Sequence, residues 1–148
     1  MKIEEKIKAK GLTLPEAKFG QGKIEPGVRT GNLVFTSGHV SLKHIGKVGK
    51  EITPQQANEG ARDATLGCLA AVKGLVGDLD KVTRVVKVLG MVNCAEGFFD
   101  TPNVIHGCTD LLNELFGEKG RHARSAVGLY QLPANYAVEV EIIFEVKD

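Results

Sequence analysis

From Ala137 to Val146 the chain alternates in polarity with a period of two. Val138, Val140, Ile142, Phe144 and Val146 point one way; Glu139, Glu141 and Glu145 point the other, with Ile143 among them. This is the pattern of a strand with one buried and one open face. It also constrains register, because a slip of one residue would turn every valine to solvent. Just upstream, residues 123–129 (ARSAVGL) read as a second, shorter strand, and LPAN at 132–135 reads as the turn between the two. The pair is expected to form a hairpin. Val127 and Leu129 should face the core, and Arg124 and Ala126 should share the opposite face with Glu139 and Glu141. A guanidinium offers two parallel N–H donors that suit a carboxylate, and a glutamate on the partner strand could hold a water or move a proton. The plain alternative is a row of solvated strand charges.

The rest of the chain supplies helices to cover such a sheet. Residues 2–10 are expected to form a short helix, with Ile3 and Ile7 on one side and Glu4 and Lys8 four apart. Residues 1–23 read as an N-terminal extension of one domain spanning 1–148. Strands are expected at 24–30 and 33–37, joined by Gly31-Asn32. Thr53 and Pro54 cap and open a helix whose stripe of Ala57, Ala61, Ala64, Cys68, Val72 and Leu75 recurs at helical spacing. Residues 82–93 are β-branched and apolar and read as a central strand. A second long helix is expected over 98–116, buried along Val104, Cys108, Leu111, Leu112 and Leu115. The order is hairpin, helix, strand, helix, hairpin: an α+β domain with both long helices on one face of the sheet. The other face would be bare, with Ile143 and Val85 or Val86 on it, and self-association is the simplest way to cover it.

Composition narrows the function classes. The 148 residues carry a net charge of +1, with two Tyr, six Phe and no Trp. That is neither the basic stripe nor the stacking surface of an RNA-binding protein. No apolar run approaches the ~20 residues of a membrane span. The N-terminus MKIEEKIKAKG is charged throughout and does not read as a secretory signal, so a cytoplasmic location is expected. Cys68, Cys94 and Cys108 form no C-x-x-C pair, which argues against a disulfide framework. His106 and Cys108 lack a metal-ligand spacing, and neither a metal nor a cofactor is expected.

Three stretches together resemble a known family: RTGNLVFTSGHV at 29–40, the helix and strand from 57 to 93, and ARSAVGLYQLPANYAVEVEIIFEV at 123–146. The chain is similar to the YjgF/Rid proteins, the reactive-intermediate deaminases that also carry an L-PSP-like endoribonuclease label. Its longer N-terminus and GRHARSAVG wording resemble a branch apart from the best-known RidA deaminases. The most specific element is Ala-Arg-Ser, followed by Leu132-Pro133 and V-E-V-E. The resemblance implies the mixed-sheet fold of bacillus-type chorismate mutase. It implies a homotrimer whose sheets make a central barrel, with a pocket at each subunit interface. It further implies that Arg124 anchors the carboxylate of a 2-aminoacrylate-type enamine or imine, that Glu139 positions the attacking water or shuttles its proton, and that Ser37 lines the pocket. A simple hairpin would set Arg124 opposite Ile143. Glu139 would then lie ~13 Å along the sheet, too far for one hydrogen bond, although the two could flank one pocket or meet across subunits.

Three positions depart from the family's deaminase pattern. Gly27 replaces a tyrosine, Ala126 a cysteine and His106 an asparagine. Gly27 is expected to make the pocket roomier and His106 to add a polar group to it, while His39, after Ser37-Gly38, is expected to line it. Three functions follow: an imine hydrolase acting on a small carboxylate-bearing metabolite, a non-catalytic trimeric binder of such carboxylates, and an RNA-cleaving protein, which the composition disfavours.

Overall fold

The computed structural model describes residues 1–148. In chain order the elements are α1 (Lys2–Ala9), β1 (Gly27–Thr30), β2 (Leu33–Thr36), β3 (His39–Val40), α2 (Pro54–Val76), β4 (Val82–Asn93), α3 (Thr101–Phe116), β5 (Ala123–Leu129) and β6 (Val138–Val146). The start of α2 is fixed by a reciprocal cap: Thr53 Oγ1 accepts from the Gln56 N–H, and Gln56 Oε1 accepts from the Thr53 N–H. Its end is fixed by Gly77, which takes the left-handed backbone (φ 86°) that lets the last turn close. The alanine stripe of α2 is buried, as are Val104, Cys108, Leu111, Leu112 and Leu115 of α3. The two helices touch closely, because Gly107 of α3 lies against the Asn58 carbonyl of α2 where a side chain would collide.

Both helices lie on one face of a mixed sheet of order β1-β2-β6-β4-β5, with β3 beside β6. Val34, Val88, Val92, Val140, Ile142 and Phe144 form the sheet's half of the core, all at most 1% exposed. This is the chorismate-mutase-like α+β fold. Bounds differ from the sequence reading at loop ends: β1 begins at Gly27, β2 stops before Ser37, and α3 begins at Thr101.

The expected C-terminal hairpin is not formed. β5 pairs in parallel with β4, and β6 pairs antiparallel with the other side of β4. Two long-range effects decide this. β4, α3 and β5 make a strand–helix–strand unit, whose crossover returns the chain parallel to its start. β6 gains two partners, β2 and β4, where beside β5 it would be an unpaired edge. Residues 130–137 cross the end of β4 rather than turning tightly, with Ala134 (φ 52°) and Asn135 (φ 59°) in left-handed backbone. The crossing is tied to buried Asn93. Its Nδ2 donates to Asn135 Oδ1 (2.9 Å) and to the Tyr136 carbonyl (3.1 Å), and its Oδ1 accepts from Lys47 Nζ (2.9 Å).

The change of partner also turns the face. Arg124 stands beside Val88, and Val88 beside Ile142, so Arg124 is level with Ile142 rather than Ile143. A shift of one residue exchanges faces. Arg124 and Ala126 therefore lie on the helix side. Val127, expected in the core, is 42% exposed on the other side, which it shares with Glu139, Glu141 and Ile143. No helix covers that second face. It also carries Val28 (57% exposed) and Phe35 (42% exposed) in register with Ile143 and Lys87.

Candidate functional site

The sequence-predicted residues fall into two groups at separate parts of the sheet. The first group lies where α3 passes over the edge strand β5. Residues 122, 124 and 126 of the chain alternate onto the helix side there. His106 and Thr109, three apart on α3, face them one turn above. Arg124 donates through Nη1 to His106 Nδ1 (2.9 Å) and to Thr109 Oγ1 (3.2 Å). Because His106 Nδ1 accepts, its proton sits on Nε2. His122 Nδ1 donates to the Gly120 carbonyl (2.6 Å), so its Nε2 accepts from the Thr109 hydroxyl (3.0 Å). Burial holds the His122 imidazole below its ordinary pKa despite the Gly120 bond, and the nearby Arg124 charge works in the same direction. The result is a short relay, Arg124 to Thr109 to His122 to Gly120. It fixes one nitrogen of the guanidinium and leaves Nη2 and Nε without a protein acceptor. None of the ion pairs in the chain includes Arg124. Beneath it the Cys108 thiol is buried and pushed up to about 12, which keeps it neutral.

The second group lies at the β3–β6 junction. The Glu139 carboxylate rests directly over Gly38, where any side chain would displace it. Burial raises the Glu139 pKa above the ordinary value, and the neighbouring Glu141 charge adds to the rise. The Ser37 hydroxyl donates to the Glu25 carbonyl (2.6 Å) and keeps its lone pairs free. His39 donates through Nε2 to the Pro26 carbonyl (3.1 Å), and its Nδ1 edge packs against Gly67 of α2. Burial lowers the His39 pKa, and the Pro26 bond offsets this in part.

Glu139 and Arg124 are therefore on opposite faces of the sheet and two strands apart, and within one chain they cannot hold the same small molecule. His106 and Ala126 belong with Arg124; Ser37 adjoins the Gly38 over which Glu139 rests, whereas His39, level with core-facing Val140, turns to the helix side against Gly67 and away from Glu139. Gly27 belongs to neither. It lies under α2, where an added Cβ would stand 3.5 Å from Ala71 Cβ and 3.6 Å from Leu75 Cδ1. Its small size serves helix packing rather than a wider pocket. The sequence reading missed Thr109 and His122. Their signals were H-x-R on a strand and H-x-x-T on a helix, which become informative only once strand and helix are known to face each other.

The largest cavity, about 790 Å³, lies between residues 11–18, β3 and α2. It reaches Gly38 and His39 but neither Arg124 nor Glu139. Glu4, Asp78 and Asp80 bring carboxylates within 4.8 Å of one another, far from both groups. Cations of the chain already stand there: the Met1 amino group is 2.7 Å from Asp80, and Lys73 is 3.7 Å from Glu4.

Residues 4–146 match the family described as YjgF/chorismate mutase-like, putative endoribonuclease. The chain belongs to this family. It is 34% identical over 144 residues to Protein TCP17 of Trypanosoma cruzi, covering 93% of this chain and 90% of that one. The crystal structure of Atu1372 from Agrobacterium tumefaciens, a protein of unknown function, is 36% identical with a TM-score of 0.91. That match covers 98% of this chain and 92% of the other. A protein from Shewanella oneidensis, named a putative endoribonuclease, is 30% identical with a TM-score of 0.92, covering 99% and 100%. No helix of the structure is long and apolar enough to cross a membrane.

Proposed function

We propose that the protein is an imine/enamine hydrolase acting on a small α-imino carboxylate, in a pocket that two copies of the chain complete. The observation that carries this reading is the state of Arg124. Its guanidinium is half-buried and held through Nη1 by two neutral acceptors, and it has no carboxylate of its own. A positioned but uncompensated cation is complementary to a ligand's anion. Across the imine, Glu139 of a second copy supplies the other group. Water adds to the C=N carbon and gives its proton to Glu139. Glu139 returns that proton to the nitrogen, giving a carbinolamine. The carboxylate then takes the hydroxyl proton and delivers it to the nitrogen as the carbonyl forms, the C–N bond breaks and ammonia leaves. Water supplies the oxygen, and nothing is oxidised or reduced. The raised pKa makes Glu139 a stronger base than an ordinary glutamate, and an imine needs only modest help. A homotrimer with the uncovered sheet faces turned inward is the assembly proposed, because it would also cover Val28, Phe35 and Ile143.

A second reading, a trimer that binds small carboxylates without turning them over, draws on Ala126, which puts a methyl group where the deaminases this chain resembles carry a cysteine. RNA cleavage, the activity in a relative's printed name, is disfavoured by the net charge of +1. The deciding experiment measures ammonia release from freshly generated α-imino acids with wild type and Arg124→Ala. Acceleration by wild type, reduced at least about 100-fold in the variant, is expected from the loss of two charge-assisted hydrogen bonds. No acceleration with any imino acid would leave the binder as the better account.

A further inference from the structure

Beyond Arg124, strand β5 changes character. On the helix side its next residues are Ala126 and Gly128, neither of which projects any bulk, and a Cβ at Gly128 would stand 2.8 Å from Cys94 Sγ. Around this bare stretch lies a cup of about 450 Å³, within the size range of small-molecule sites. Its walls are Phe98, Phe99 and Tyr130, and no Asp, Glu, Lys, Arg or His lines it. Its one hydroxyl from a threonine, Thr101 Oγ1, is already spent on the Ala126 carbonyl (2.9 Å). Phe99 and Tyr130 are 87% and 84% exposed; the Lys47 ammonium stands 5.1 Å from the centre of the Tyr130 ring, and the Phe99 ring stands open beside the edge strand.

Two independent spacings tie the cup to the anchor. Ala126 is two residues from Arg124 on one side of β5, ~6.6 Å at ~3.3 Å per residue. On α3, Thr101 of the cup is five residues from His106, ~7.5 Å at ~1.5 Å per residue. Both distances are about the reach of one amino-acid side chain. We propose that the cup is the side-chain subsite of this enzyme, and that its substrate class is α-imino acids with branched aliphatic or aromatic side chains rather than the smallest member. This rests on the reading of Arg124 as a carboxylate anchor. The cup brings no ionised side chain to a charged substituent, which would lose its water there without a counter-charge, while eight of its eleven lining residues are hydrophobic.

The test compares kcat/KM for imino acids formed by an amino acid oxidase from alanine, leucine and phenylalanine, in wild type and in Phe99→Ser/Tyr130→Ser. These two side chains are exposed, and a ratio of substrates does not depend on the folded fraction. Wild type should favour the leucine or phenylalanine product over the alanine product by at least about tenfold, and the variant should bring that ratio close to one. Equal or better use of the alanine product would overturn the subsite and leave the hydrolase reading intact. Should no imino acid be hydrolysed, the hydrolase reading fails. Calorimetric binding of the corresponding 2-oxo acids then decides the subsite alone. Tighter binding of the bulkier acids, lost in the variant, supports it; equal binding, or none, overturns it.

Discussion

At the scale of single residues, the functional argument turns on Arg124 and Glu139. Arg124→Lys keeps the charge but removes the fork that reaches ligand and helix together. Carboxylate affinity measured by calorimetry should fall about tenfold or more. In the proposed reaction Glu139 carries the pH dependence. Burial first, and the Glu141 charge second, raise its pKa, so the folded chain keeps this proton to higher pH than the unfolded chain does. Its contribution to stability is fully present below the unfolded value and is lost as pH rises through the folded one. On the proposed hydrolase reading, the same shift raises the acidic limb of kcat above that of an ordinary glutamate, and Glu141→Gln should move that limb to lower pH. An unmoved limb would show that another group titrates. Both residues were legible in the sequence as types, but the face of Arg124 was not. Ile142 and Ile143 differ by one position, and that one position decides whether the guanidinium meets α3 or the uncovered side.

At the scale of elements, local signals were reliable and partner choice was not. The stripe of α2, the apolar line of α3 and the period of β6 each report burial by one neighbour, and each was read correctly. LPAN is equally local, and it promised a hairpin. Which strand β5 joins depends on the α3 crossover and on the two partners that β6 gains in the middle of the sheet, and no short window contains either. Two tests belong here. Thr109→Val should loosen Arg124 by cutting the relay to His122, raising KM several-fold with kcat little changed, and Thr109→Ser should restore it, because only the hydroxyl matters. Gly107→Ala should lower stability by about 1–3 kcal/mol in denaturant unfolding, because the new methyl meets the Asn58 backbone, which has little room to give.

At the scale of the whole molecule, the uncovered sheet face and the proposed two-chain site make one requirement. Placing Asp at Phe35, where the ring is 42% exposed beside Ile143, should weaken self-association in sedimentation and reduce ligand binding in parallel. Binding that survives in a monomer would place the whole site within one chain. The separation of the anchor and the carboxylate on opposite faces has a genetic consequence as well. If a working site takes Arg124 from one copy and Glu139 from its neighbour, two dead alleles can repair each other. Chains carrying Arg124→Ala and chains carrying Glu139→Ala, unfolded together and reassembled in equal amounts, should recover about a quarter of the wild-type sites, the random chance of an intact arginine meeting an intact glutamate. The activity would then belong to neighbouring pairs of chains and not to any single one.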